Sequence, residues 1–265
     1  MGNEGGWGFA RRVALLAGAV FQILAGFLVP IGEIAGATRS LVIPADYAFG
    51  IWGPIFLLCL ICAVYWALPG GREDRLLRRV GWPLAGAFFL NGVWEVSVLL
   101  RQPLVLQVLI GAIFACAAVA YVRLARSGRG VLGGVDRWLV APTVGLLFGW
   151  ITVANAISLN DMLVDLGLMG ADAALVGAFL LLAGTLVACA MVLVGRYGTP
   201  QGYLAYSAAV LWGLAGIVVN QYDASLLTSG AALLSAALVA LVLFGTPGGS
   251  SSHRSADRTV RTGNA

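Results

Sequence analysis

Residues 173–195 read AALVGAFLLLAGTLVACAMVLVG, with Asp172 before them and Arg196 after. The run carries no charge, no proline and no alternation of period two. A helix needs about 20 apolar residues to cross the hydrocarbon core of a bilayer. Lipid satisfies no backbone polar group, so such a crossing is a helix or a strand of a closed barrel, and a continuous apolar run argues against the barrel. Seven further stretches read the same way: Val13–Ile31, Tyr47–Leu68, Val80–Leu100, Pro103–Val122, Trp138–Leu159, Tyr203–Asn220 and Ser225–Phe244. Gly, Pro and charged residues separate them. The expected fold is therefore an all-α integral membrane protein, a bundle of about eight transmembrane helices.

Composition agrees. Of 265 residues, 60% are hydrophobic and 11% charged, and the mean hydropathy is +0.92; soluble domains carry roughly 25% charged residues. The net charge of +4 is accounted for by topology and gives no reason to expect a nucleic-acid partner. With the N-terminus inside, every arginine except Arg39 and Arg101 falls in an inner segment, in groups at Arg11–Arg12, 72–79, 123–137, Arg196 and 254–261. The outer loops instead hold Glu33, Asp46, Asp161, Asp165, Asp172 and Asp223. A miscounted helix would scramble this alternation, so the positive-inside bias supports eight spans with both termini inside a bacterial-type cytoplasmic membrane. Arg11-Arg12, the apolar run after them and Ala35-Gly36-Ala37 also resemble a signal peptide. The run is long for a signal core, and an uncleaved first helix is the expectation. Residues 1–12 read as a cytoplasmic N-terminus and 246–265, rich in Gly, Ser and Arg, as a disordered cytoplasmic tail.

Few side chains offer chemistry. The lone histidine, His253, lies in the tail, and the four cysteines all lie in apolar runs. No metal site, phosphate loop or catalytic constellation is visible, so neither an enzyme nor a required cofactor is expected. Cys59 and Cys62 form a C-x-x-C in mid-helix, without the helix N-terminus that activates redox thiols, and read as structural. Val119-Ala120-Tyr121-Val122-Arg123 fits a sterol-contact pattern, though an aromatic and an arginine at a helix end need no such role. Trp7, Trp66, Trp82 and Trp138 suit membrane interfaces, while Trp150 falls near the middle of its segment. Asn91, Glu95 and Gln102 are spaced by four and seven, on one helix face, and a carboxylate within a span is usually turned toward a cavity or a partner. Trp150, Ala154 and Ser158 recur at intervals of four; packing is the expected role of Ala154 and Ser158, whereas Trp150 and Asn155 are candidates to face a ligand. Asn220 and Gln221, at the end of the seventh segment, are expected to meet water.

Three segments together resemble the tryptophan-rich sensory protein (TspO, translocator) family. Pro44-Ala45-Asp46-Tyr47-Ala48-Phe49-Gly50-Ile51-Trp52 corresponds to the proline-led aromatic opening of that family's second helix, Leu90-Asn91-Gly92-Val93-Trp94 to L-N-x-x-W on its third, and Trp150, Ala154 and Ser158 in part to W-x-x-x-A-x-x-x-N on its fifth. The order and the helix assignments agree as well. Glu95-Val96 stands where the family has Ser-Pro. The resemblance covers roughly residues 12–160, which implies a TspO-like five-helix bundle over 13–160 and three additional transmembrane helices over 161–245, as in a longer, divergent member. It further implies a small apolar or tetrapyrrole ligand, of the porphyrin type, held between helices 1, 2, 3 and 5. Phe49, Trp52, Asn91, Trp94, Glu95, Trp150 and Asn155 are the candidate ligand-binding residues. Glu95 would repel porphyrin carboxylates if it faced them ionised. The expected function is a membrane-embedded sensor or translocator-like binding protein, with the lipid bilayer, the ligand and a second copy of the chain as candidate partners. The alternative is a proton-coupled secondary transporter that uses Glu95.

Overall fold

A computed structural model describes residues 4–29, 40–68, 75–128 and 132–245. The expectations placed on Glu33, the Ala35-Gly36-Ala37 motif, Arg39, Arg72, Arg129, His253 and the tail from 246 lie outside the described residues. Among the described residues there are no strands, and eight helices are long and apolar enough to span a bilayer. They are α1 (Glu4–Leu28), α2 (Trp52–Ala67), α3 (Arg75–Ser97), α4 (Pro103–Ala125), α5 (Ala141–Asp165), α6 (Ala173–Gly195), α7 (Pro200–Gln221) and α8 (Leu226–Phe244). Mid-helix side chains such as Leu186, Phe179 and Leu241 are 73%, 68% and 67% exposed. An apolar surface of that extent is stable only against lipid.

Local chemistry sets the ends. Pro103 and Pro200 open α4 and α7 at the position where a missing N–H costs nothing. Ser225 caps α8, its Oγ accepting from the Thr228 N–H at 3.3 Å. Arg196 reaches across from the end of α6 to donate to the Leu243 and Gly245 carbonyls at 3.0 and 2.9 Å, placing a cation on the negative end of α8. A π-helical turn, Asp136–Val140, leads into α5, with the Ala141 N–H bonded to the Asp136 carbonyl. Pro142 follows at once, and a proline has no N–H to continue the tighter i→i−4 ladder.

Several helices outrun their apolar stretches, three of them by a turn or more. α1 begins at Glu4 rather than Val13, α3 at Arg75 rather than Val80, and α5 continues to Asp165 rather than stopping at Leu159. Backbone hydrogen bonds propagate past the edge of the apolar run, so Asp161 and Asp165, expected in a loop, are on the last turns of α5. The reverse holds at Gln102. Arg101 adopts a left-handed conformation (φ 50°) and Gln102 is extended, as a residue before proline must be. Gln102 therefore leaves the Asn91–Glu95 face. Trp66 is not at the lipid interface but fully buried, and Tyr121 is buried in the core beside Phe148 and Tyr206, where a bilayer sterol has no access to it. Cys59 and Cys62 are both buried in the core.

Helix neighbours define a ring: α2 packs on α1, α1 on α3, α3 on α4, α4 on α5, and α5 closes back on α2. α7 runs along α5, α8 along α7, and α6 bridges α8 and α5. The α5–α7 seam is close because Gly145 and Gly149 face it one turn apart. A Cβ at Gly145 would overlap the Gly202 carbonyl, and one at Gly149 the Tyr206 carbonyl. Without a hydrophobic drive between helices in lipid, such small-residue contacts supply the packing.

Candidate ligand cavity

The ring encloses a cavity of about 140 Å³ toward the Asp165 end of α5. Its aromatic walls are Phe49, from the 3-10 turn Asp46–Ile51 that leads into α2, with Trp52 of α2, Trp94 of α3 and Trp150 of α5. Val98, Pro103, Leu106 and Ile110 complete the apolar lining, together with Ile43. Trp150 stands edge-on to both Phe49 (ring centroids 5.9 Å apart, 83° between planes) and Trp52 (6.0 Å, 82°), the T-shaped geometry that ring quadrupoles favour. The indole N–H groups of Trp94 and Trp150 are buried and have no hydrogen-bond partner. They are donors that a ligand acceptor can take.

Four of the sequence candidates thus meet: Phe49, Trp52, Trp94 and Trp150. The other three do not line the cavity. Asn91 and Glu95 are fully buried on another face of α3, toward α1. There Asn91 Nδ2 donates to Gln22 Oε1 and to Glu95 Oε1, each at 3.5 Å, and Glu95 packs against Gly26. Consecutive helical residues diverge by about 100°, so Trp94 and Glu95 cannot both aim inward. Asn155 accepts from Gln107 Nε2 at 3.3 Å, joining α5 to α4. In place of these three, α5 contributes Ala154, Ser158, Asp161 and Asp165. Ala154 and Ser158, expected to serve packing, line the open space instead.

The last three helices bear on the site through α7. The stretch 40–51, which delivers Ile43 and Phe49, lies against it. Asn220 Nδ2 and Gln221 Nε2 both donate to the Ile43 carbonyl (3.1 and 3.0 Å), the Ala45 N–H donates to the Gly216 carbonyl (3.0 Å), and Trp212 Nε1 donates to the Ala48 carbonyl (2.9 Å). Ser40 Oγ adds a bond to Asn160 Oδ1 of α5 at 2.7 Å. The amides of Asn220 and Gln221, expected to meet water, hold this stretch in place. Trp212→Phe keeps the ring and loses one hydrogen bond of about 1 kcal/mol. A lower thermal midpoint and a few-fold weaker ligand affinity are expected, measured on the same detergent-solubilised sample; an unchanged affinity would free the cavity from α7.

A second, more open cleft of about 460 Å³ lies between α1 and α2, lined by Ile23, Gly26 and Phe27 on one side and Phe56, Leu57 and Leu60 on the other. Phe49 and Trp52 line this cleft as well as the cavity, so these two rings form the partition between them. Among the described residues no cluster of His, Cys, Asp or Glu has the makings of a metal site.

No curated protein and no solved structure matches this chain. A family model described as TSPO-like protein matches residues 9–245, from α1 through α8 and well past residue 160. With that match over nearly the whole described chain, and with an eight-helix membrane bundle to carry it, the chain belongs to the TSPO-like protein family.

Proposed function

We propose that this protein, a ligand-binding membrane protein of translocator type, holds a flat, largely apolar small molecule between α2, α3, α4 and α5. The observation that carries the reading is the cavity walled by Phe49, Trp52, Trp94 and Trp150. Apolar walls with a few convergent polar groups are what small-molecule sites share, and ring faces suit a flat ligand. Ligand pockets usually run from about 300 to 1,000 Å³, more than the cavity offers alone. Rotation of Phe49 and Trp52 would join it to the α1–α2 cleft and give a tetrapyrrole-sized space with an entrance from the bilayer. In this reading both termini lie inside and the cavity opens toward the outer side of the membrane, an orientation that the alternation of arginines and acids supports.

The test is a titration of the purified protein with flat ligands of different charge (protoporphyrin, hemin, a neutral sterol and 10-methylacridinium), read by quenching of tryptophan emission. Saturable quenching by a flat ligand is expected, with the same affinity in Glu95→Gln because that side chain lies outside the cavity. No saturable binding of any flat ligand would overturn the reading. Proton-coupled transport is the second reading. It is favoured by the burial of Glu95 with one carboxyl oxygen unpartnered at the α1–α3 seam. Proton-driven uptake in proteoliposomes, lost in Glu95→Gln, would move the function to that seam.

A further inference from the structure

Resting on this reading of the cavity, we infer that its ligand is positively charged: a lipophilic organic cation whose flat apolar body lies among Trp52, Trp94 and Trp150 and whose charged end meets Asp161 and Asp165. Trp150, Ala154, Ser158, Asp161 and Asp165 follow one another at helical intervals of four and three, so they form one stripe along α5, and all five line the cavity. Both carboxylates therefore open into the space that the indoles wall. Asp161 Oδ1 is buried and has no hydrogen-bond partner, although the Ser40 hydroxyl lies beside the same carboxyl group, and among the described lining residues none is basic.

The carboxylates and the ring faces of this lining favour the same sign of charge, while the indole N–H groups of Trp94 and Trp150 are left for an acceptor on the body of the ligand. Low-dielectric walls focus the field of the two carboxylates into the cavity, and the faces of the aromatic rings are the negative parts of their quadrupoles. A cation over an indole gains further, most of all when desolvated. An anionic ligand meets repulsion from both sources, and free-acid porphyrins, which carry two carboxylates, fall into that class. A small inorganic cation fares poorly too, because hard cations need six or more oxygen ligands and the remaining walls are apolar. An organic cation satisfies the acidic end and the aromatic end together.

The experiment compares two tricyclic probes of matched shape, 10-methylacridinium and anthracene-9-carboxylate, both of which accept energy from tryptophan. The full chain is held in nanodiscs of zwitterionic phosphatidylcholine, so that no lipid charge attracts either probe. Methylacridinium is expected to bind at least about tenfold more tightly than the carboxylate, the ratio that a single cation–π or charge contact of ordinary strength produces. Asp161→Asn/Asp165→Asn is expected to shrink the ratio several-fold by weakening the cation and strengthening the anion, with only the preference of the ring faces left. Asp165→Asn alone, at an exposed position, gives a smaller shift in the same direction and serves if the double variant does not fold. Equal affinities for both probes, unchanged in the asparagine variants but lost for both in Trp52→Ala, overturn the charge preference and leave the cavity in place. Absence of saturable binding by either probe overturns the cavity reading as well.

Discussion

Gly149→Ala is expected to cost the bundle about 1–3 kcal/mol, the usual penalty for overpacking a tight contact, and Gly149→Leu to prevent α5 and α7 from docking. The added Cβ would overlap the Tyr206 carbonyl and come within 2.9 Å of the Ala209 Cβ. Both atoms belong to a helix that cannot yield locally, since one is backbone and the other is fixed to it. Gly111 on α4 is the matched control, because a Cβ there meets nothing within 4 Å. Gly111→Ala should be neutral or stabilising, as alanine is favoured over glycine in helices by about 1 kcal/mol. Thermal unfolding in detergent separates the two, and a Gly149→Ala variant as stable as Gly111→Ala would show that the seam is looser than described. The consequence reaches the cavity, because α7 carries the hydrogen bonds that hold residues 43–48. Ligand affinity should fall in Gly149→Ala even though Gly149 does not line the cavity.

This dependence was largely hidden in the sequence, for physical reasons. Eight crossings are legible because lipid forces each span to be a helix of a set length, and α6 coincides with its apolar run from Ala173 to Gly195. Helix ends are less legible, because hydropathy reports where lipid stops and hydrogen bonding continues beyond it. Hydropathy therefore puts Asp161 and Asp165 in a loop and gives no sign that they line the cavity. Motif order points to the four aromatic residues. Spacing puts Asn91 and Glu95 on one face of α3, but a helical face does not state which neighbour it meets. The choice between Trp94 and Glu95 as the inward residue rests on where α1 packs. The spacing Gly145-x-x-x-Gly149 was a readable signal for the α5–α7 seam. The hydrogen bonds from α7 to residues 43–48 join positions more than 160 apart in the chain, and nothing local in either stretch announces them.

Trp150→Ala is expected to weaken binding of a flat ligand by more than tenfold while leaving the bundle folded, at a stability cost of about 3 kcal/mol or more for so large a truncation. At 1% exposure, Trp150 stands edge-on to both Phe49 and Trp52. Its loss removes a wall of the cavity and the support of the partition toward α1. The remaining Trp52 and Trp94 still report quenching, and a ligand-induced rise in thermal midpoint provides a readout independent of fluorescence. Trp150→Phe separates two contributions. It keeps an aromatic face against Phe49 and Trp52 but deletes the unpartnered indole N–H. If the ligand accepts a hydrogen bond there, the phenylalanine variant should lose several-fold in affinity with little loss of stability. If the site uses only ring faces, it should bind nearly as the parent does. A folded Trp150→Ala protein that binds unchanged would move the ligand out of the ring and into the α1–α2 cleft, where Phe49 and Trp52 would still touch it and Trp150 would not.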